Sequence, residues 1–426
     1  MSSPALKRRL LKRLESLPVV DCHSHTMNPE NYYRTRFDLF NFQSYFLRDI
    51  NGIAGGDRDT TFARLRSDAA RWRLFKDALD RAGSTSYARH YMIAYREFFG
   101  LKDAELSDGN WKTVNANIKK RTADPERYRE ITKVKCKVIT AMRNVTPFAE
   151  RWDPDYFTPI LRMERVLRLH APGPDEGLAA FEEGTGCTIG SIGALRRAIV
   201  KLMESYRRQG AVGVKFGHAY WRTLQHDDVS DADAGKVLKK IIAGRKLTDA
   251  GIKALQDWGF RSVVRASGDM KMVVQIHTGV QTNWGFIPDS DPMHLLDVIL
   301  ANRNVKFDLF HAGYPYSRGL GMLGKHCPNV WLNMCWMYVI SMAASRQILT
   351  EWIDLVPGHR LLGFGSDVGA PEFIWAHLVM ARECIADVLA DKVERDFLSE
   401  EAAMRLLERM MLDNPCELYG IRKPKH

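Results

Sequence analysis

The chain has 426 residues, 45% of them hydrophobic, which is enough to bury a large core as one big domain or two ordinary ones. Its formal charge of +11 comes from 62 basic and 51 acidic side chains that are interspersed along the chain, so we expect solubility or an anionic small-molecule substrate and no nucleic-acid partner. Seven scattered cysteines, an odd number without a CxxC pair, argue against a disulfide framework and a cysteine zinc cluster.

The N-terminal stretch LKRRLLKR, residues 6–13, predicts a short amphipathic helix with an exposed basic face. Binding to a membrane surface is the minor alternative for this stretch. The sequence has no apolar run of the roughly 18 residues that span a bilayer and no leader-like apolar region after its first basic residues. We therefore expect a cytoplasmic protein without a membrane partner.

Eight short runs rich in Val, Ile, Leu and Phe follow, and most are separated by segments long enough for a helix. Such runs are typical of strands that are buried on both faces of a parallel sheet. They are residues 17–23, 135–141, 156–163, 211–217, 271–277, 305–311, 329–335 and 360–367. Eight alternations predict an α/β fold, the (β/α)8 TIM barrel, which needs roughly 250 residues.

Most of the remaining length lies between the first two runs. Residues 27–132 predict a helical insertion at the barrel mouth, within a single domain that covers 1–426. A smaller segment, 221–269, is polar and charged and predicts a second helical insertion. After the eighth run, residues 399–415 carry an N-cap serine and apolar positions at helical spacing, which predicts a closing helix.

Potential metal ligands stand at the ends of four predicted strands. His23 and His25 end the first strand, and residues i and i+2 of a strand point to the same side, so both imidazoles can reach one ion. His277, His311 and Asp367 end the fifth, sixth and eighth strands. A lone strand histidine is more often a core residue and a lone aspartate a helix cap. Because strand ends of a barrel converge on one site, their coincidence predicts a metal centre.

These strand-end motifs, DCHSHT, VVQIHTG, FDLFHAGYPYSR and LLGFGSDV, resemble those of the amidohydrolase superfamily. The resemblance covers residues 17–25 and 135–420, and no motif carries over for 27–132. VKFGHAYWRTL and DNPCELYGI are similar to segments of the amidohydrolase-related (amidohydrolase 2) branch that includes nodulin/FluG-like proteins, and the long insertion is similar to that of uronate isomerases. The resemblance implies a barrel of the metal-dependent hydrolase type.

The resemblance also implies metal ligation by His23, His25, His277 and Asp367, with His311 a ligand or a catalytic group beside the metal. Imidazole and carboxylate ligands without a thiolate suit Zn²⁺, Mn²⁺ or Fe²⁺. We expect one divalent ion, with zinc favoured. A second ion stays open, because a fourth-strand lysine is carbamylated in binuclear relatives and Lys215 either takes that role or is paired in the barrel core.

Further residues are candidates for contact with substrate. Tyr220 and Arg222 follow the fourth strand, and arginine can bind a carboxylate through two hydrogen bonds, although a loop ion pair is the alternative for Arg222. Trp284 lies on the loop after strand five, where it either shapes the pocket or packs beneath a lid. Arg34 in the insertion could meet an acidic substrate or be a solvated surface residue. Lys215 completes this predicted substrate-binding set.

The leading functional hypothesis is a metal-dependent hydrolase that cleaves a C–N or C–O bond of a small anionic molecule. A metal-bound water would attack, Asp367 would move its proton, and His311 or the metal would polarise the carbonyl. The alternative is a uronate isomerase-like or decarboxylase activity on an acidic sugar or carboxylic acid at the same site, and a third is a ligand-binding barrel without activity. His311 favours the hydrolase, whereas the insertion favours the isomerase. We expect a homo-oligomer.

Overall fold

Eight parallel strands form the centre of the computed structural model, which describes residues 4–42, 44–55, 61–173, 176–282 and 285–424. The strands pair in chain order from first to last. They are β1 Val19–Ser24, β2 Val138–Val145, β3 Phe157–Arg162, β4 Gly213–Phe216, β5 Val273–Ile276, β6 Phe307–Leu309, β7 Val330–Asn333 and β8 Leu361–Leu362. Each lies within or overlaps one of the eight runs predicted from the sequence, so the predicted barrel is confirmed.

Backbone hydrogen bonds near the chain's two end strands bring the sheet almost to closure. The Cys22 amide donates to the Phe364 carbonyl at 3.2 Å, and the Asp367 amide donates to the His23 carbonyl at 2.9 Å. The Asp21 carboxylate accepts from the backbone amides of both His23 and Ser366. The ends of β1 and β8, which carry predicted ligands, are therefore held side by side.

Helices surround this sheet. In chain order they are α1 Pro4–Ser16, α2 Pro29–Arg34, α3 Phe46–Ile53, α4 Asp68–Ala82, α5 Ser86–Phe99, α6 Trp111–Arg121, α7 Glu126–Arg129, α8 Gly177–Thr185, α9 Ile192–Arg208, α10 Asp231–Ile242, α11 Asp249–Met270, α12 Leu296–Ala301, α13 Ser317–His326, α14 Met337–Ile340, α15 Met342–Leu355, α16 Pro371–Glu394, α17 Glu400–Glu408 and α18 Asn414–Tyr419. Short 3₁₀ segments include Glu164–Arg168 and His218–Tyr220, and π-helical turns occur at Glu130–Lys135 and Arg409–Asp413. Within the described residues, no helix combines the length and apolar character needed to cross a membrane.

Helices α2 to α7 lie between β1 and β2, where the sequence predicts the insertion. This insertion packs onto α16 through aromatic side chains: the ring of Phe42, between α2 and α3, stacks on that of Phe373 with 4.8 Å between centroids. Buried Glu372 accepts a hydrogen bond from the Tyr32 hydroxyl at 2.7 Å and pairs with Arg127 at 3.3 Å. This apolar and ionic contact fixes the helices over the carboxyl ends of the strands.

Helix α1 packs its predicted apolar face against the barrel, with Leu6, Leu10 and Leu14 buried. Its basic side chains face acidic residues of α16 and α17. Arg9 contacts Glu400 and Arg13 contacts Glu408, both at 2.7 Å, and Lys7 pairs with Asp387. The stretch LKRRLLKR therefore contributes to an intramolecular contact.

The segment 221–269 differs from the polar insertion that the sequence predicts. It contains α10 and α11, and α11 is the barrel helix before β5, with Trp258 and Phe260 buried. The apolar pattern is obscured because Asp257 and Arg261 are also buried on this helix. Their charges are compensated by hydrogen bonds with the Arg222 side chain and the His226 carbonyl, so polar residues here belong to the core.

Candidate active site

The two histidines of the first strand converge on the aspartate that follows β8. The Nε2 atoms of His23 and His25 each lie 3.2 Å from Oδ1 of Asp367. His23 and Asp367 are buried, whereas the side chain of His25 is 53% exposed at the mouth of the barrel. Two imidazole nitrogens and one carboxylate oxygen thus form a group whose ligand atoms lie within 4.8 Å of one another, close enough to share one ion.

Left-handed backbone conformations cluster at these strand ends. His311, Ala312, Trp336 and Asp367 have φ values of +57°, +49°, +65° and +53°. Such conformations are unfavourable for residues other than glycine and persist only where the surrounding structure enforces them. Two of these four residues, His311 and Asp367, are predicted site residues. The unfavourable backbone conformations therefore occur where side chains point into the mouth of the barrel.

His277 and His311 form a buried pair. Nδ1 of His277 lies 2.9 Å from Nε2 of His311, while Nε2 of His277 faces the Val280 carbonyl at 2.9 Å and Nδ1 of His311 faces the Cys335 carbonyl at 3.1 Å. Since a carbonyl oxygen only accepts, each outer nitrogen carries the hydrogen. In two neutral rings the inner nitrogens then present lone pairs to each other, an arrangement that a cation beside them would relieve.

A second group of possible ligands shares Asp367 and adds His311 and Cys335, again with ligand atoms within 4.8 Å of one another. The sequence predicts a site without thiolate, and burial favours the neutral thiol at Cys335 by raising its pKa well above the ordinary value. Cys335 follows β7 and contacts Gly365, where an added Cβ would lie 2.8 Å from the Cys335 Cβ. The sequence feature that could identify Cys335 is its position as the last residue of the seventh predicted run, at a strand end.

Burial keeps these histidines neutral, as metal ligation requires. It lowers the pKa of His23 and His311 well below 6.5, with the Lys215 charge acting in the same direction. It also lowers the pKa of His277 to about 3. Nδ1 of His23 is buried without a hydrogen-bond partner among the described residues. The donor set, its protonation and the facing lone pairs fit a divalent cation.

These groups open into a cavity of about 240 Å³. Its volume lies below the roughly 300 Å³ at which pockets for drug-sized ligands begin, which suits a small ligand. The cavity is lined by His23, His25, Tyr45, Asn144, Arg162, Glu164, Lys215, Gly217, Tyr220, Thr282, His277, His311 and Asp367. Cationic and hydroxyl groups therefore surround the candidate metal ligands.

Lys215 projects from β4 into this cavity. Its Nζ lies 3.2 Å from the centre of the Phe310 ring and has no hydrogen-bond partner among the described residues. Burial lowers the pKa of this ammonium group to about 7, although the Asp367 and Asp308 charges oppose the change. The structure thus places Lys215 beside the candidate ligands with an unsatisfied amine.

The other predicted substrate contacts differ in whether they line the cavity. Tyr220 lines the cavity, and its ring centroid lies 4.6 Å from that of His277. Arg222 does not reach the cavity, because its guanidinium is buried against Asp257 at 2.7 Å and Gln256 at 3.0 Å. Arg34 is 76% exposed, pairs with Glu30 and is absent from the lining residues. Trp284 lies outside the described residues.

Sequence reasoning did not identify Arg162, Glu164 and Tyr45, which line the cavity. Arg162 ends β3 and faces Glu164 at 3.4 Å, and its position at a strand end is a signal of the kind that identified the histidines. Tyr45 stands in the insertion, where no motif carries over, and its hydroxyl donates to the backbone carbonyl of Asp367. The insertion therefore contributes directly to the cavity wall.

Comparison with known proteins identifies the family to which the chain belongs. Protein fluG of Emericella nidulans is 28% identical over 225 residues, which are 50% of this chain and 26% of that protein. A uronate isomerase of Nostoc punctiforme is 24% identical over 62% of this chain and 59% of its own length. The chain thus matches only part of each of these two relatives.

The crystal structure of a uronate isomerase from Thermotoga maritima superimposes with a TM-score of 0.80 at 16% identity, covering 98% of both chains. At this identity the match establishes the fold alone, and it includes the helices between β1 and β2. The model of the Amidohydrolase family matches residues 178–421, more than half of the chain. The chain therefore belongs to the amidohydrolase family.

Proposed function

We propose that the protein is a metal-dependent isomerase that interconverts the aldose and ketose forms of an acidic sugar. The observation that carries the proposal is a candidate ligand set opening into a small cavity whose wall holds Arg162 and Lys215. The uronate isomerases among its relatives, which include a structure matched over nearly the whole chain, favour this alternative over the hydrolase.

The residues that would hold the ion are His23, His25 and Asp367, with His277 next to them. A divalent ion at this place would supply polarisation of the sugar's carbonyl and hydroxyl oxygens. Amidohydrolase-type sites of this composition suit zinc, and manganese or iron would fit the same nitrogen and oxygen donors. We expect a single ion.

Cations on the cavity wall would orient the sugar. A guanidinium binds a carboxylate through two parallel hydrogen bonds, so Arg162 is assigned to the acid group of the substrate. Lys215, whose amine has no partner among the described residues, is assigned to a sugar oxygen. Tyr45 and Tyr220 would cover the ring and exclude water from it.

The reaction moves two protons. One leaves C2 of the aldose and arrives at C1, while the proton on the C2 hydroxyl passes to the oxygen on C1. Asp367 and His311 line the cavity within one group of ligand atoms, and both can accept and return a proton, so they are assigned to these transfers. No water is consumed, in contrast to the hydrolytic alternative.

The test is a substrate panel on the metal-loaded protein. Glucuronate, a neutral aldose, a sugar lactone, an N-acyl amino acid and a γ-glutamyl compound would each be followed by NMR. The proposal predicts ketose formation from glucuronate and at least tenfold less from the neutral aldose, because only the former engages Arg162. Hydrolysis of any other compound without ketose formation would replace the proposal by the hydrolase.

A further inference from the structure

A second cavity, of about 270 Å³, adjoins the first. Arg162, Glu164 and Gly217 line both, so the two spaces meet at these three residues. At this junction the Gly217 amide donates to Oε1 of Glu164 at 2.8 Å, and an added Cβ at residue 217 would lie 3.1 Å from the same oxygen. Glycine at position 217 thus leaves this boundary between the two cavities free of a side chain that would crowd it.

The wall of the second cavity carries a row of arginines, Arg162, Arg165 and Arg168. The first ends β3, and the other two lie on the 3₁₀ helix Glu164–Arg168. A 3₁₀ helix has three residues per turn, so side chains three positions apart lie on the same face. The spacing R-x-x-R-x-x-R therefore produces a line of guanidinium groups that leads away from the metal cavity.

These arginines are not fully neutralised by neighbouring carboxylates. Arg168 contacts Glu176 at 2.7 Å through one terminal nitrogen, Nη2, and makes no other carboxylate contact among the described residues. Arg165 lies over the Phe148 ring at 5.7 Å and has no carboxylate partner in the part of the chain that the structure describes. The row thus retains donors that could bind an anionic group.

Trp221 supplies a flat apolar surface in the same cavity. Its side chain belongs to a residue that is 40% exposed, and the Arg168 guanidinium lies over its ring at 5.6 Å. An exposed aromatic ring beside hydrogen-bonding groups is suited to the apolar face of a sugar, since the ring offers contact area at little entropic cost.

We propose that the second cavity binds a second acidic sugar, linked to the one at the metal, so that the substrate class is an acidic disaccharide with a free reducing end. This inference rests on the proposed isomerase function for the chemistry at the first ring. The second ring would stack on Trp221, and its carboxylate would bind Arg165 and Arg168. Arg162, at the junction, would hold the carboxylate of the first ring.

The experiment compares three compounds on the metal-loaded full chain: glucuronate, a disaccharide of two uronic acids, and a disaccharide in which the non-reducing sugar is neutral. The variants are Arg165→Ala, Arg168→Ala and Trp221→Ala, with Arg245→Ala as the control because this exposed arginine follows α10, away from both cavities. The wild type should show a kcat/KM at least tenfold higher for the acidic disaccharide than for the neutral-ended one. Each arginine variant should reduce that ratio about tenfold, and the control should not change it.

Calorimetric titration of the same compounds separates this inference from the isomerase proposal. Arginine-dependent binding of the acidic disaccharide supports the second cavity even if no sugar is isomerised. Isomerisation of glucuronate without any preference for the acidic disaccharide overturns the inference and leaves the proposed function intact. Tighter, arginine-dependent binding of a phosphate ester of glucuronate would also overturn it, because the second anion would then be a phosphate.

Discussion

Nδ1 of His277 lies 2.9 Å from Nε2 of His311, and the opposite nitrogen of each ring faces a backbone carbonyl. Both outer nitrogens must donate, so the two inner lone pairs oppose each other. A buried repulsive contact of this kind is costly unless a positive charge compensates it. This histidine pair follows β5 and β6, and it lies at the same end of the barrel as the candidate metal ligands at the ends of β1 and β8.

The first prediction concerns metal content. The purified protein should carry one divalent ion per chain, and His23→Ala or His277→Ala should lower its affinity at least tenfold, because each removes a nitrogen donor. The check is metal analysis after dialysis against graded chelator. His326→Ala, an exposed histidine in α13, is the matched control. Full metal content in the His23 variant, or two ions in the wild type, would contradict the single-ion site.

The second prediction concerns Asp367. Its carboxylate belongs to both groups of candidate ligand atoms, and a carboxylate at this place can accept a proton and return it. Asp367→Asn should reduce kcat by about 10²–10⁴-fold while the folded structure is retained, since the amide keeps the shape but cannot accept the proton. Circular dichroism and steady-state kinetics check the two parts. Near-normal turnover by the Asn variant would remove Asp367 from the reaction.

A third prediction separates Arg222, a substrate contact predicted from the sequence, from Arg162, which lines the cavity in the structure. Arg222→Ala should destabilise the protein by about 2 kcal/mol or more, because it leaves buried Asp257 with fewer partners, and should leave KM for the acidic sugar within about twofold. Arg162→Ala should raise KM at least tenfold through the lost carboxylate contact. Urea unfolding and kinetics on both variants are the measurements. The reverse pattern would return Arg222 to the substrate site.

The fourth prediction is an acid-induced loss of stability through Asp257. Burial opposes ionisation of this carboxyl, but hydrogen bonds from His226 and Lys253 and the charge of Arg222 prevail and lower its pKa from 3.8 to about 2. Because the folded pKa is depressed, the stabilisation is complete above about pH 4 and is lost as the pH falls towards 2. It corresponds to about 2 kcal/mol.

Urea unfolding of wild type and Asp257→Asn between pH 5 and pH 3 measures this contribution. The difference in free energy of unfolding between the two proteins should shrink as the pH falls. Asp269→Asn, an exposed carboxylate on the same helix, should show no such change. A difference that stays constant across this range would show that Asp257 is not the titrating group.

Much of the fold follows from sequence patterns. The eight apolar runs predict the barrel because strands buried on both faces produce continuous hydrophobic segments. The segment 221–269 is predicted as a polar insertion although it contains a barrel helix. Asp257 and Arg261 are buried on that helix because each is hydrogen-bonded to a group distant in the sequence, and their charges give a core helix a polar pattern.

The site is predictable only in part. His23, His25, His277, His311 and Asp367 are identifiable because chemistry at strand ends has a fixed place in a barrel. Cys335 and Arg162 stand at strand ends too, but a cysteine or arginine there has common structural roles. Tyr45 could not be predicted, since its approach to Asp367 depends on how the inserted helices pack on α16. Arg222 is excluded from the cavity by a partner 35 positions away.

The most direct test of the account is isomerisation of glucuronate in D₂O by the metal-loaded protein, followed by NMR with Asp367→Asn as the reference. We predict that the wild type forms the ketose with deuterium at C1, because a proton taken from C2 can exchange with solvent before it is returned, and that the variant forms little or none. Stable glucuronate under these conditions, together with hydrolysis of an amide or ester substrate by the same preparation, would contradict the account.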